Sequence, residues 1–351
     1  MRRIALIPGD GIGVEVVGEA ERVLDAARTR FGLELATERF DLSADRYLER
    51  GVAMSDGEFQ ALAEDHDAIL LGALGDPRVP GNEHARDILL GLRFRLDLYV
   101  NYRPCHLLEP SLSPLADLSH PIRLDIFREN TEGVYVNMGG TFKEGTPDEM
   151  AIQEDVNTRK GVERILRAAF RFARDHGRER VTLVDKANAM PAAGGLWRRL
   201  FREVSGDFPE LETEAVYVDA LAMDLLRRPH RYAVVVTCNL FGDIISDLAA
   251  ELTGGLGMAP SANLHPGRHA LFEPVHGSAP DIAGRDRANP LGAIRSVELL
   301  LDHLGHGEAA RAVEAAVARS LRQGVTTPDL GGTRGTRAVG EWIAGAVADG
   351  S

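Results

Sequence analysis

Short apolar runs alternate along this chain with longer segments of helical periodicity, and that alternation limits the folds open to it. Ile4–Ile7 is a strand-like run stopped by Pro8-Gly9-Asp10-Gly11. Glu15–Arg30 then repeats apolar residues at helical spacing, through Val16, Val17, Ala20, Val23 and Leu24. Ala68–Leu71, Val181–Val184, Val216–Val218 and Ala233–Thr237 are further β-rich runs. Gly161–His176, Pro191–Val204 and Ala309–Gln323 read as amphipathic helices, the last ended by Gly324. Strands separated by helices pair in parallel, because the chain must cross back over the sheet before the next strand begins. The expected class is therefore α/β with a largely parallel sheet. Tyr135–Asp155 breaks the pattern. It is rich in Gly, Thr and acids and has little periodicity, so it is expected to be an irregular functional segment or interaction arm.

A length of 351 residues can hold two domains. The formal charge is −13, from 53 acids against 40 bases, which argues against nucleic acid or an anionic membrane as partner. No stretch approaches the ~20 apolar residues of a membrane span. Met1-Arg2-Arg3 precedes an apolar run too short for a signal peptide. Cys105 and Cys238 are far apart and form no CxxC pair, so reduced thiols and a cytoplasmic location are expected.

Three sets of residues carry chemistry. Asp243 and Asp247 are spaced i, i+4, which puts both carboxylates on one helix face beside apolar Leu240, Ile244, Ile245 and Leu248. Like charges so placed repel unless a cation lies between them, and a hard divalent ion takes oxygen ligands. A solvated helix face is the plainer alternative. Arg93, Arg103 and Arg128 each stand near a strand or helix end among apolar neighbours. If they converged they would suit a di- or tricarboxylate. Lys186 follows a buried-looking strand in Val184-Asp185-Lys186-Ala187-Asn188. Near a metal and arginines its pKa would fall and it could act as a base. Its plainer alternative is an ion pair with Asp185. Tyr135 is a candidate acid. Pro8-Gly9-Asp10-Gly11-Ile12-Gly13 is placed to approach a phosphate or simply to turn the chain. Glu273–Gly284 is a small-residue loop with one His, expected to bind a ligand.

Taken in order and nearly end to end, these motifs resemble the isocitrate/isopropylmalate family of β-decarboxylating dehydrogenases, which oxidise 3-substituted malates. The resemblance implies two open α/β domains unlike a standard Rossmann fold. Residues 1–99 with 253–351 would bind the cofactor. Residues 100–252, with an arm near 135–155, would form the dimer interface and hold substrate and metal. By the same resemblance Arg93, Arg103, Arg128 and Asn188 bind the malate. Asp243 and Asp247 ligate Mg²⁺ or Mn²⁺, and Asp219 joins them from the partner subunit of a homodimer. Lys186, also from the partner, takes the 2-hydroxyl proton, and Tyr135 protonates the enolate left after CO₂ departs. Ile12, Glu273, His276, Gly277, Ser278, Ala279, Pro280, Asp281, Ile282 and Asn289 hold the dinucleotide. Asp281 is placed to accept from a ribose 2′-hydroxyl and to repel a 2′-phosphate, so NAD is expected over NADP.

Leu89 and Leu90 lie one helical turn before Arg93 and match the apolar residues that meet the alkyl group in the isopropylmalate branch. An alkyl substituent is therefore expected, with isocitrate, homoisocitrate, tartrate and D-malate as alternatives. Three features depart from that branch: Arg86 where many members have an acid, Arg128-Glu129-Asn130-Thr131-Glu132-Gly133, and Tyr102 where a leucine is usual.

Overall fold

A computed structural model describes residues 1–350. The chain divides into two compact units, one of Met1–Leu98, Leu107–Pro114 and Ala250–Ser351, the other of Tyr99–His106 and Leu115–Ala249.

In the first unit five strands lie in the order Leu35–Arg39, Arg2–Gly9, Ala68–Ala73, His269–Pro274, Pro260–His265. The first four are mutually parallel, with Ile4 beside Ala68 and Leu271 beside Ile69; Pro260–His265 returns antiparallel. Ile4 to Ile7 and Ala68 to Leu71 are buried along their whole length, the mark of strands covered on both faces. The helix Gly13–Phe31 packs Val16, Val17, Ala20, Val23, Leu24 and Ala27 inward and ends on left-handed Gly32. Its expected bounds differ from the observed ones by one or two residues, as fraying ends allow. Each fully buried Val, Leu or Ile stabilises this layer by about 1.5–3 kcal/mol, and truncating Ile7 to Ala would cost about 2–5 kcal/mol.

In the second unit the order is Val100–His106, Arg123–Glu129, Val234–Thr237, Arg180–Asp185, Glu212–Tyr217. The last four are parallel, and only Val100–His106 runs against its neighbour. Each parallel strand delivers a polar residue at its carboxyl end: Arg128 is the penultimate residue of the first, and Asn239, Lys186 and Asp219 follow the other three in that order. Open parallel sheets bind ligands at such ends.

Two local expectations are corrected. Val218 belongs to no strand; it begins the helix Val218–Leu225 and puts Asp219 in the first turn, where a carboxylate complements the helix dipole. Tyr135–Asp155 is not irregular throughout. Gly139–Phe142 pairs antiparallel with Met150–Gln153 as a ribbon exposed along both strands. The ribbon buries no face, so its strands lack the alternation that marks a strand in sequence.

Candidate active site

The arginines of the second unit are set by strand register. Asn101 pairs with Arg128, and side chains two residues apart share a face, so Arg103 and Arg128 project to the same side of the antiparallel pair. Both meet the helix Asn239–Glu251. Arg128 donates to Asp243 at 2.5 Å and to the Asn239 amide oxygen at 2.9 Å. Arg103 donates to the Ser246 hydroxyl at 2.6 Å and lies 3.3 Å from Asp243 and from Asp247. The Tyr135 hydroxyl donates to Asp243 at 2.8 Å, and its ring centroid is 5.2 Å from the Arg128 guanidinium. Gly242 makes this approach possible: a Cβ there would fall 2.5 Å from Arg128 Cγ. Arg103, Arg128, Tyr135, Asp243 and Asp247 are thus brought together. Asn239 and Ser246 complete the cluster and are absent from the sequence expectation. Their signals are slight: an Asn opening a helix after a buried strand, and a Ser three residues after the first acid.

Lys186 is not paired with Asp185. Asp185 is held by Arg198 at 2.6 and 3.0 Å, while Lys186 reaches Asp219 at 2.6 Å. The lysine's hydrogen bond lowers the Asp219 pKa. Asn188 is exposed on the turn that follows. Within one chain no three His, Cys, Asp or Glu side chains among the described residues converge as a metal site, so Asp219 does not join Asp243 and Asp247 here. Those two carboxylates, 36% and 50% exposed, offer oxygen donors only, a set that suits a hard divalent ion.

In the first unit Arg93 forms a buried ion pair with Glu273 at 2.8 Å, and Asn263 donates to the same Glu273 oxygen at 2.8 Å. Glu273, expected beside the dinucleotide, is here the partner of a malate-binding candidate. Leu89 and Leu90 are half-buried on the helix Glu83–Arg95, and Arg86 is exposed on the face it shares with Leu90 and Arg93. The glycines of the Pro8–Gly13 turn are explained by chain packing. A Cβ on Gly11 would fall 2.1 Å from the Ser278 carbonyl oxygen, and one on Gly13 would fall 2.3 Å from that of Pro8. Ile12 N–H donates to Ser278 at 2.8 Å, so the turn carries the 276–284 loop. That loop leaves Gly277, Pro280 and Asp281 exposed, and Ala279 takes φ +38°. Ile282 is half-buried, and Asn289 donates to Asp329 at 2.9 Å. Burial lowers the His276 pKa, and its Nε2 is buried without a partner among the described residues. An unpaired imidazole nitrogen fits a loop that receives a polar ligand.

Tyr102 serves packing and charge. Its ring packs at a tilt against Phe127 and Phe172, and its hydroxyl donates to fully buried Asp125 at 2.9 Å. His106 and Arg178 complete that carboxylate's shell at 2.8 and 2.7 Å.

Residues 3–343 match the isocitrate/isopropylmalate dehydrogenase family. The 3-isopropylmalate dehydrogenase of Thermobifida fusca is 46% identical over 350 residues, covering 99% of this chain and 98% of that one. Its counterpart from Frankia casuarinae is 50% identical over 321 residues, covering 91% and 92%. Among solved structures, the isocitrate dehydrogenase of Methylococcus capsulatus matches at TM-score 0.90 and 38% identity, covering 99% of this chain and all of that one. The chain belongs to the isocitrate/isopropylmalate dehydrogenase family, with that family's two-unit α/β fold and its general need for a nucleotide cofactor and a divalent metal.

Proposed function

We propose that this chain catalyses the oxidative decarboxylation of (2R,3S)-3-isopropylmalate to 4-methyl-2-oxopentanoate and CO₂, with reduction of NAD, as a step of leucine biosynthesis. The convergence of Arg103, Arg128 and Tyr135 on Asp243 carries the reading: two guanidinium groups, a phenol and paired carboxylates suit a small dicarboxylate and a cation together. The isopropylmalate dehydrogenases that cover nearly all of the chain support the substrate. Half-buried Leu89 and Leu90 offer an alkyl group an apolar wall beside Arg93.

When bound, NAD accepts a hydride and Mg²⁺ or Mn²⁺ acts as a Lewis acid. The side chains hold and move the rest. Arg93, Arg103 and Arg128 bind the carboxylates and orient C2. Asp243 and Asp247, with Asp219 of a second copy, hold the metal. Lys186 Nζ takes the 2-hydroxyl proton, and Tyr135 Oη returns a proton to C3 after CO₂ leaves. Exposed Asp281 supports NAD over NADP.

A homodimer completes the site. Lys186 and Asp219 form a pair of their own within the chain, which supports a site whose two sets come from different copies. Met223 and Ile244 are 63% and 56% exposed on two helices of the second unit, and Phe142 and Met150 are 54% and 52% exposed on its ribbon. Large apolar side chains left in water mark surfaces that another chain covers. Free Cys105 and Cys238 suit a reducing cytoplasm.

The test is NADH formation with Mg²⁺ and a panel of isopropylmalate, isocitrate, homoisocitrate, D-malate and tartrate. Isopropylmalate should give the highest kcat/KM. A higher value for isocitrate would move the substrate and return attention to Arg86. Replacing Lys186 by Met should leave substrate binding intact and lower kcat by about 10²–10⁴-fold; unchanged turnover removes the lysine from the chemistry.

A further inference from the structure

His84 has no place in the chemistry above, yet it is completely buried at the start of the helix Glu83–Arg95. Its Nε2 lies 2.7 Å from Asp10, and its Nδ1 is buried with no partner among the described residues. Asp10 is the central residue of the glycine turn and is itself 5% exposed. Its carboxylate accepts from Ala44 N–H at 2.6 Å and from Gly75 N–H at 2.8 Å. One carboxylate therefore joins the turn, the helix Ala44–Arg50, the segment after the strand Ala68–Ala73, and the helix carrying Leu89, Leu90 and Arg93. Gly75, which donates to Asp10 just past that strand's end, has φ +132°, a backbone state that only glycine adopts readily.

These contacts close a ring within the first unit. At the amino end of the Glu83–Arg95 helix, His84 holds Asp10, and the turn holds Ser278 through Ile12 N–H at 2.8 Å. In its last turn, Arg93 holds Glu273 at 2.8 Å, three residues before His276. The helix proposed to meet malate is thus fastened at one end, through the turn, to the loop proposed to meet the dinucleotide, and at the other end to the strand that leads into that loop. A shift of either must displace the other, because buried hydrogen-bonded groups resist being left unpaired.

We propose that His84 is a positioning residue that, through Asp10, couples malate binding to dinucleotide binding. The inference rests on the ligand assignment proposed above. The test measures NADH affinity by fluorescence, with and without isopropylmalate, in the Mg²⁺-loaded full-length protein. In the unmodified chain isopropylmalate should change NADH affinity by about tenfold, a common size for coupling between sites. His84→Leu should bring that factor close to one. His84→Gln, whose amide can still donate to Asp10, should restore most of it. Coupling retained in His84→Leu overturns the proposal. So does equal loss of coupling in the Leu and Gln variants when thermal melts show both folded. Isocitrate is run in parallel. Coupling with isocitrate but not isopropylmalate, lost in His84→Leu and restored in His84→Gln, supports the His84 link and refutes the substrate assignment, whereas coupling with neither malate in the unmodified chain refutes the link.

Discussion

Two helices of this protein carry acids at the same spacing, and their fates differ. Asp243 and Asp247 lie on Asn239–Glu251; Glu298 and Asp302 lie on Leu291–His303. The first pair is part-exposed and met by Arg103, Arg128 and Tyr135. On the second helix Glu298 is 16% exposed, sits 3.7 Å from Arg295, and has one carboxylate oxygen with no hydrogen-bond partner among the described residues. Burial, reinforced by Glu314 and Asp302 and opposed by Arg295, pushes its pKa up to about 7. The residue before the first acid marks the contrast: Gly242 admits the stem of Arg128, whereas Val297 fills the core. The i, i+4 spacing brings two carboxylates together. The surrounding chain decides whether they form a site.

The contrast can be broken by substitution. Asp243→Asn should have the largest effect, a fall in kcat of about a thousandfold with isopropylmalate and Mg²⁺, since Lewis-acid help is worth several kcal/mol and each 1.36 kcal/mol is about tenfold. Turnover within about tenfold of the unmodified enzyme would end the metal assignment. Glu298→Gln should instead stabilise the fold. Because folding raises this carboxyl's pKa, its penalty is absent below the ordinary value of about 4.5, grows as pH rises to about 7, and is complete above that. Melts at pH near 8 should favour the Gln variant by about 3 kcal/mol, and melts at pH near 4.5 should not distinguish the two. Equal melts at both pH values would show that the carboxylate carries no such penalty.

Gly242→Ala should cost about 1–3 kcal/mol by overpacking and raise KM for the malate, because the new Cβ displaces Arg128. An unchanged KM would mean that Arg128 has another way in. Asp302→Asn, an exposed change, should alter stability by no more than about 0.5 kcal/mol, read from denaturant midpoints.

Much of this fold is readable in sequence because buried parallel strands such as Ile4–Ile7 and Ala68–Leu71 are uninterrupted apolar runs. The helix Arg159–Asp175 is equally plain, with Val162, Ile165, Leu166, Ala169 and Phe170 on one stripe. The exposed ribbon was hidden for the opposite reason: it has no buried face to impose a period. The Asp243 cluster was legible because its residue types are rare among apolar neighbours. No pattern in the sequence shows which arginines meet: Arg103 and Arg128 share the Asp243 cluster through strand register, and Arg93 pairs with Glu273, a residue 180 positions away that no local pattern connects to it. The Asp10–His84 pair was missed for the same reason, since it spans 74 positions and each residue alone looks ordinary.

The separation of Lys186 and Asp219 from Asp243 and Asp247 within one chain has a consequence for complementation. A chain bearing Lys186→Met and a chain bearing Asp243→Asn should each be inactive alone. In the proposed homodimer, co-expression gives mixed dimers in which one site receives an intact lysine from one chain and intact carboxylates from the other. Random pairing then restores about a quarter of full activity, since half the dimers are mixed and each has one of two sites whole. Two dead genes would together support growth that neither supports alone.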